Sequence, residues 1–328
     1  METALGDGDW LAAAARLADR GRPASAPNPA VGCIIVQQGV VVGRGWTQHG
    51  GRPHAEAVAL DQAGANARGA DVYVTLEPCA HASERGTACT DLLVEARPAR
   101  VIIAETDPDP RTNGAGIQRL RAAGITVEQL VCDQARSSLA GFLTRTRRGR
   151  PHVTLKLAMS LDGRIALADG TSKWITGEEA RAHVHLRRAK SDAILVGGGT
   201  WRRDRPQLDV RLKGLEACSP ERVVLTRGVP IDGARIINRP DQIAELANTQ
   251  YLYVEGGAQV AASFLAGDLV DRLDIYRAPI VIGSGLPAFG DIGLTELPTA
   301  HGRWTLVERR QLGSDCYEAY ERLRHEGA

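Results

Sequence analysis

The chain has 328 residues, of which 43% are hydrophobic and 24% charged, and its formal net charge is +1 at pH 7. This length and balance indicate a globular protein of two domains, and six scattered cysteines argue against a disulfide scaffold. Because the charge is near zero and aromatic residues are sparse, we expect no nucleic-acid partner. The sequence shows no secretory leader and no apolar run of membrane-spanning length, so we expect a cytoplasmic protein without a membrane partner.

Strands and helices alternate through the first half of the chain, which indicates a layered α/β domain. The predicted elements are a helix at 10–20, a β-hairpin at 31–36 and 40–46, a helix at 53–64 that begins at Pro53 and ends at Gly64, a strand at 70–79 that leads into a helix or turn at Pro78, a strand at 99–107, a helix at 117–124 and a strand at 125–131.

A basic segment at 145–151, RTRRGRP, interrupts this alternation, and we expect it to be a structureless linker. It separates two predicted domains, 1–148 and 149–328. The second domain is predicted to have strands at 152–163, 191–199, 221–226, 249–257 and 271–283, with helices at 177–189 and 258–267. This pattern indicates a second α/β domain with its own core, and no repeat relates the two halves.

Four residues of the first domain have the order and types of a catalytic zinc site. His54 is predicted to open a helix, Cys79 to lie at a strand-to-helix corner, and Cys89 to complete a set of three ligands. Three ligands leave the fourth tetrahedral position open for water, and zinc lowers the pKa of that water towards 7. Glu56, two residues beyond His54, is then placed to move protons between water and a leaving amine. This arrangement is the known signature of zinc nucleobase deaminases. A structural zinc or a chance match is the alternative, because His-x-Glu and Pro-Cys are each common.

Three longer segments make the sequence similar to a known family. PNPAVGCIIV (27–36), GRPHAEAVAL (51–60) and VTLEPCAHASERGTACTDLL (74–93) resemble the bifunctional riboflavin-biosynthesis deaminase/reductase family. The resemblance implies a three-layer α/β/α cytidine-deaminase-like domain followed by a dihydrofolate-reductase-like α/β domain. It also implies one zinc ion per chain, NADPH, a small phosphorylated pyrimidine substrate and a homo-oligomer, either a dimer or a tetramer.

In the deaminase half, the resemblance implies that Asn28 contacts the pyrimidine and that His81 lies at the substrate. From the local sequence alone, Asn28 is equally well explained as a turn residue. The chain departs from the family in two places. The loop between Cys79 and Cys89 is one residue longer than is common, and Thr47 stands where the family often has histidine, with His49 offset by two positions.

The second half carries further segments that resemble the family's reductase, among them VTLKLAMSLDGRIA (153–166) and VEGGAQVAASFL (254–265). The resemblance implies the following NADPH-binding residues: Ala158, Trp174, Thr200, Asp204, Gly256, Gly257, Ala258, Gln259, Val260, Ala261, Ala262 and Ser263. It implies the following substrate-binding residues: Ser172, Arg188, Leu208, Arg211 and Glu255.

The expected reaction of the second domain is hydride transfer from NADPH to C1′ of the opened ribose. Arginine suits the substrate phosphate because its planar donors bind two oxygens at once. Lys156, Asp204 and Glu255 are the candidate catalytic residues, and the sequence does not decide which of them is the acid. Where Arg205 follows Asp204, the family often has a second aspartate.

Two other functions remain open at the level of sequence. The chain could deaminate a different base, with a C-terminal half that serves only for dimerisation. It could also be a zinc-stabilised binding protein without catalytic activity. Ammonia release, and reduction of the product when NADPH is added, distinguish these possibilities.

Overall fold

The structure is a computed structural model that describes residues 5–81, 85–228 and 231–324. The chain divides into two compact units, Met1–Gly149 and Arg150–Ala328. Each unit has its own main sheet and its own apolar core. Within the ranges given, none of the helices combines the length and the apolar character that a membrane span requires.

The first unit is built around a mixed five-stranded sheet with the order β2-β1-β3-β4-β5. Its elements are α1 (Asp7–Ala18), β1 (Gly32–Gln37), β2 (Val40–Trp46), α2 (Ala55–Ala63), β3 (Asp71–Leu76), α3 (Cys89–Ala96), β4 (Arg100–Glu105), α4 (Ala115–Ala122), β5 (Thr126–Gln129), α5 (Asp133–Ser138) and α6 (Ala140–Arg148). Strand β1 pairs antiparallel with β2 and β3, whereas β3, β4 and β5 are parallel. The predicted hairpin of β1 and β2 is confirmed.

Helices cover both faces of this sheet. Ile35 and Val74 belong to an apolar cluster with residues of α2, α3, α4 and α6. Their chain neighbours Ile34 and Tyr73 belong to a second cluster, with α1 and α5. Since successive side chains of a strand point to opposite faces, the sheet is the middle of three layers. The predicted α/β/α architecture is confirmed.

Three local expectations for this unit were wrong. Pro53 lies before the N-cap residue His54 instead of in the first turn of α2. No helix begins at Pro78 or Cys79, and the helix α3 begins at Cys89. The basic segment is not structureless, because its first four residues, 145–148, form the end of α6. Leu143 anchors that helix in the core with 5% of its surface exposed, and arginine is a good helix former.

The second unit is built around an eight-stranded sheet with the order β10-β9-β8-β11-β6-β12-β15-β14. Its elements are β6 (His152–Met159), β7 (Arg164–Ala166), α7 (Glu178–Ala189), β8 (Ala193–Gly197), α8 (Gly198–Asp204), β9 (Glu221–Leu225), β10 (Arg235–Ile237), β11 (Tyr251–Val254), α9 (Ala258–Ala266), β12 (Arg272–Arg277), β13 (Leu286–Pro287), β14 (Trp304–Leu312) and β15 (Asp315–Arg322). The six strands from β10 to β12 in that order are parallel, and β15 is antiparallel to both of its neighbours. Strands β7 and β13 form a separate ribbon.

The helices α7 and α9 cover opposite faces of this sheet. Val184 of α7 packs with Tyr253, whereas Phe264 of α9 packs with Leu252. The strands β6, β8 and β11 are parallel neighbours, so their carboxyl ends lie at one edge of the sheet. In open α/β sheets this edge is where ligands bind.

Candidate active sites

The helix α2 rests directly on the strand β2, and this contact positions two of the predicted site residues. A Cβ atom added to Gly43 would lie 2.2 Å from the carbonyl oxygen of Ala59, and one added to Gly45 would lie 2.2 Å from that of Ala55. Only glycine therefore permits this approach. At the start of the helix His54 is the N-cap residue, and Glu56 is the second residue of the first turn.

The structure brings His54, Cys79 and Cys89 together. The Nδ1 atom of His54 lies 3.3 Å from Sγ of Cys89 and 3.6 Å from Sγ of Cys79. The ligand atoms of all three residues lie within 4.8 Å of one another. Both cysteines are buried, and the backbone N–H of Cys89 donates to Sγ of Cys79 at 3.4 Å.

These distances fit a zinc ion. With Zn–N near 2.0 Å and Zn–S near 2.3 Å, tetrahedral geometry separates the nitrogen and sulfur ligands by about 3.5 Å. One imidazole and two thiols are also a ligand set that zinc prefers. Cys89 is the first residue of α3, where the helix dipole favours a thiolate. Sequence reasoning assigned this helical position to Cys79.

Glu56 contributes a buried carboxyl group to the same site. It is 3% exposed, and burial raises its pKa above the usual range. A hydrogen bond from the Cys89 thiol lowers the pKa of Cys79. A buried acid beside a ligand set of this kind is suited to proton transfer at neutral pH.

Two further predicted residues have contacts of their own, Asn28 with His54 and His81 with Thr112. The amide nitrogen of Asn28 lies 3.4 Å from Nε2 of His54 and 3.1 Å from the carbonyl oxygen of Gly51. The Nδ1 atom of His81 lies 3.4 Å from Oγ1 of Thr112, a residue that sequence reasoning missed. The contacts of the longer loop fall partly outside the described residues, since 82–84 are not among them.

The departure at Thr47 has a structural explanation. Thr47 is 1% exposed, and its hydroxyl accepts a hydrogen bond from the backbone N–H of Val31 at 2.9 Å. It therefore ties the entry of β1 to the end of β2. His49, two positions further along the chain, is exposed.

In the second unit, three of the predicted residues form one charged cluster. Arg188 of α7 donates to both carboxylate oxygens of Glu255, at 2.6 and 3.0 Å. The Nζ atom of Lys156 on β6 lies 3.8 Å from the same carboxylate. Burial alone would raise the pKa of Glu255, but the charges of Arg188 and Lys156 lower it. Burial lowers the pKa of Lys156.

Arg211 is connected to this cluster through Asp209, a residue that sequence reasoning missed. The carbonyl oxygen of Asp209 accepts a hydrogen bond from Arg188 at 2.9 Å. Its side-chain oxygen lies 3.5 Å from Nε of Arg211. The backbone N–H of Arg211 donates to Nδ1 of His185 at 3.2 Å, and its guanidinium is exposed.

Glycines follow one another at the carboxyl ends of β8 (197–199) and β11 (256–257), and some of them serve packing whereas others are open to a ligand. Cβ atoms added to Gly197 and Gly256 would lie 2.7 and 2.4 Å from the side chain of Val260, so these glycines serve packing. A Cβ atom added to Gly199 or to Gly257 would have no atom from elsewhere in the chain within 4 Å. These two open positions lie at the N-terminal ends of α8 and α9, where backbone N–H groups are free to bind phosphate. The residues present therefore fit a dinucleotide at this edge.

The other predicted reductase residues occupy varied surroundings. Ala158 is the seventh residue of β6, Thr200 is half-buried in α8, and Leu208 is buried. Asp204 and Ser172 are exposed, as is Trp174, whose ring stacks on the guanidinium of Arg181 at 4.8 Å. Within α9, Val260, Ala261 and Ala262 are buried, Ser263 bonds back to its own helix, and Ala258 and Gln259 are the more accessible positions. Within the described ranges, no hydrogen bond or ion pair joins Ser172, Trp174 or Asp204 to the charged cluster.

Comparison with known proteins matches both units. Residues 151–317 match the family described as RibD C-terminal domain, and residues 6–105 match the cytidine and deoxycytidylate deaminase zinc-binding region.

The riboflavin biosynthesis protein RibD of Haemophilus influenzae is 39% identical to this chain, and the match covers 98% of each of the two chains. The solved structure of Acinetobacter baumannii RibD, form 1, has a TM-score of 0.84 at 34% identity and covers 97% of this chain and 99% of its own. A diaminohydroxyphosphoribosylaminopyrimidine deaminase/5-amino-6-(5-phosphoribosylamino)uracil reductase of Thermotoga maritima has a TM-score of 0.84 at 30% identity, with the same coverage. The chain therefore belongs to the RibD family of bifunctional riboflavin-biosynthesis enzymes, with a zinc-binding deaminase domain followed by an NADPH-dependent reductase domain.

Proposed function

We propose that the domain 1–148 deaminates 2,5-diamino-6-ribosylamino-4(3H)-pyrimidinone 5′-phosphate and that the domain 149–328 reduces the product to 5-amino-6-ribitylamino-uracil 5′-phosphate. The Thermotoga maritima relative is named for these two activities. The observation that carries the proposal is the convergence of His54, Cys79 and Cys89 beside the buried Glu56. A separate charged cluster on the second sheet supports the second reaction.

In the deaminase site, His54, Cys79 and Cys89 would hold the zinc ion, which supplies a Lewis acid that makes water nucleophilic at neutral pH. The carboxylate of Glu56 takes a proton from the attacking water and passes it to a ring nitrogen of the pyrimidine. It then delivers a proton to the amine, which leaves as ammonia when the C–N bond breaks. Asn28, which contacts His54, and His81, two residues beyond Cys79, are proposed to contact the pyrimidine.

In the reductase site, NADPH supplies the hydride. We propose that NADPH is contacted by Ala158, Trp174, Thr200, Asp204 and the residues Gly256–Ser263. Within Gly256–Ser263, the accessible positions at the start of α9 make most of the proposed contacts. Ser172, Leu208 and Arg211 are proposed to complete the substrate site with the charged cluster.

Lys156 is the proposed proton donor of the reduction. Glu255 is held ionised by two hydrogen bonds from Arg188, so it is a poor acid. Asp204 is exposed. The lowered pKa of Lys156 brings its ammonium closer to the pH at which a general acid works well.

We further propose a small phosphorylated pyrimidine as the partner of both sites, a homo-oligomer (a dimer or tetramer), and a cytoplasmic location. The near-zero net charge supports a small-molecule partner over nucleic acid.

One experiment tests the two activities together. The purified chain is given the diaminopyrimidinone phosphate with and without NADPH, and ammonia and ribityl product are measured. We expect ammonia in both cases and ribityl product only with NADPH. Absence of ammonia contradicts the deaminase assignment, and accumulation of the deaminated ribosyl compound with NADPH present contradicts the reductase assignment.

A further inference from the structure

Glu77 is a buried carboxylate that the chemistry above does not use. It follows β3, lies two residues before Cys79 and is 3% exposed. Its carboxylate accepts three backbone hydrogen bonds. The N–H groups of Asp107 and Gly114 donate to Oε2 at 3.2 and 2.9 Å, and that of Ile117 donates to Oε1 at 3.1 Å.

The three donors belong to the two ends of one segment, 107–117, which connects β4 to α4. Asp107 follows β4, Gly114 is the N-cap residue of α4, and Ile117 lies in its first turn. A carboxylate at a helix N-terminus satisfies the free N–H groups and is stabilised by the helix dipole. Glu77 therefore caps α4 from a different part of the chain and closes the segment 107–117 onto the residues that precede Cys79.

The start of α4 also packs directly against Pro78. A Cβ atom added to Gly116 would lie 2.2 Å from the carbonyl oxygen of Pro78 and 3.0 Å from Oε1 of Glu77. The helix thus approaches the peptide before Cys79 as closely as glycine allows. The carboxylate of Glu77 and the carbonyl group of Pro78 together fix where the first turn of α4 lies.

The same segment contacts the site again on the other side of Cys79. Thr112 is 1% exposed, and its hydroxyl lies 3.4 Å from Nδ1 of His81. The carboxylate of Asp107 accepts the backbone N–H of Asp109 at 2.9 Å, which fixes the turn between these contacts. The segment is therefore attached both to Glu77, before Cys79, and to His81, after it.

We propose that Glu77 is a positioning residue of the deaminase site. It holds the segment 107–117 against Pro78 and Cys79 and thereby fixes Thr112 and His81 beside the zinc ligands. It touches neither the substrate nor the attacking water. The inference rests on the proposed deaminase function, in which His81 contacts the pyrimidine.

The test compares Glu77→Gln with Glu105→Gln in the full chain loaded with zinc. The amide of Glu77→Gln has the same size but offers one acceptor oxygen and turns an NH₂ group towards N–H donors. We expect unchanged zinc content, a deaminase KM that rises about tenfold or more with a smaller change in kcat, and faster hydrogen exchange at the amides of Asp107, Gly114 and Ile117. Glu105 is a matched control, because it is 7% exposed but pairs with Arg136 and Arg147. Its variant should keep the wild-type KM.

A wild-type KM and wild-type amide exchange in Glu77→Gln overturn the proposal. Loss of zinc also overturns it, because Glu77 would then hold the ligand Cys79 itself. An inactive wild-type enzyme refutes the deaminase function instead, so the two failures are distinguishable. If Glu77→Gln does not fold, Thr112→Val carries the test, since it removes the hydroxyl that contacts His81. A KM equal to that of the wild type in this variant overturns the proposal.

Discussion

The guanidinium of Arg188 donates two hydrogen bonds to the carboxylate of Glu255, at 2.6 and 3.0 Å. Because α7 supplies the arginine and the end of β11 supplies the carboxylate, the pair also joins a helix to the edge of the sheet. Lysine cannot make both bonds, since its ammonium is a point charge.

Arg188→Lys should therefore impair the reductase selectively. The loss of one hydrogen bond between charged groups costs about 1.5–3 kcal/mol, so we expect kcat/KM for the reduction to fall at least about tenfold. NADPH oxidation measures this, and ammonia release should be unchanged. Arg239→Lys is a suitable control, because Arg239 is exposed and pairs with Asp241 on the surface. Equal reductase activity in the two variants would contradict the role of Arg188.

Glu56→Gln should separate the two activities of the chain. The amide preserves the size of the buried side chain but cannot carry protons, so ammonia release should fall about 100-fold or more. Zinc content should stay at that of the wild type. With the deaminated compound as substrate, NADPH oxidation should be normal. Unchanged ammonia release would remove Glu56 from the proposed proton transfer.

Cys89→Ser should lower the zinc content. Three ligands that converge on one point should bind about one zinc ion per chain, and serine is a much poorer ligand than a thiolate. Metal analysis should find less than one equivalent, with ammonia release lost and the reductase intact. Cys218→Ser provides the control, because Cys218 is a free thiol in the second unit. Full zinc content in Cys89→Ser would exclude it as a ligand.

Asp271 should make the second domain sensitive to acid. Burial alone would raise its pKa, but hydrogen bonds from Arg150 lower the pKa to about 2, below the ordinary value of 3.8. Since the folded pKa is depressed, the stabilisation is fully present above about pH 4 and is lost as the pH falls through 2. The expected contribution is about 2 kcal/mol.

Calorimetry of Asp271→Asn against the wild type checks this expectation. The difference in unfolding free energy should be largest at pH 5 and should shrink towards pH 2. Asp241→Asn should show a much smaller difference, because that carboxylate is exposed and screened by solvent. A difference for Asp271→Asn that is constant over this pH range would rule out the ion pair as its origin.

The sequence predicted the elements best where apolar periodicity was strong. The strands β6, β8 and β11 and the helices α7 and α9 lie within their predicted ranges. The hairpin of β14 and β15 was missed, because charged residues fill its exposed positions and obscure the alternation. The end of α6 was misassigned because its arginines were interpreted by charge alone.

The convergence of His54, Cys79 and Cys89 could be predicted because their residue types and order are those of a zinc site. These residues indicated zinc by themselves, family resemblance added NADPH, and both cofactors are confirmed by the family. Glu77 and Thr112 could not be found in this way. Their partners lie about 30 to 40 residues away in the chain. The partners of Glu77 are backbone N–H groups, which nearly every residue type has, so the sequence does not identify them. A carboxylate between an apolar strand and Pro78 was the one available signal.

The contact of Gly43 and Gly45 with α2 has a consequence for interpreting variants of this enzyme. Neither glycine belongs to the active site, yet both determine where the helix that carries Glu56 can lie. A methyl group at either position would leave every zinc ligand present in the sequence while displacing one of them from the others. A survey that checks only whether the active-site residues are present would then judge a defective enzyme to be active. For this fold, the hairpin glycines should be weighed together with the metal ligands when activity is inferred from sequence.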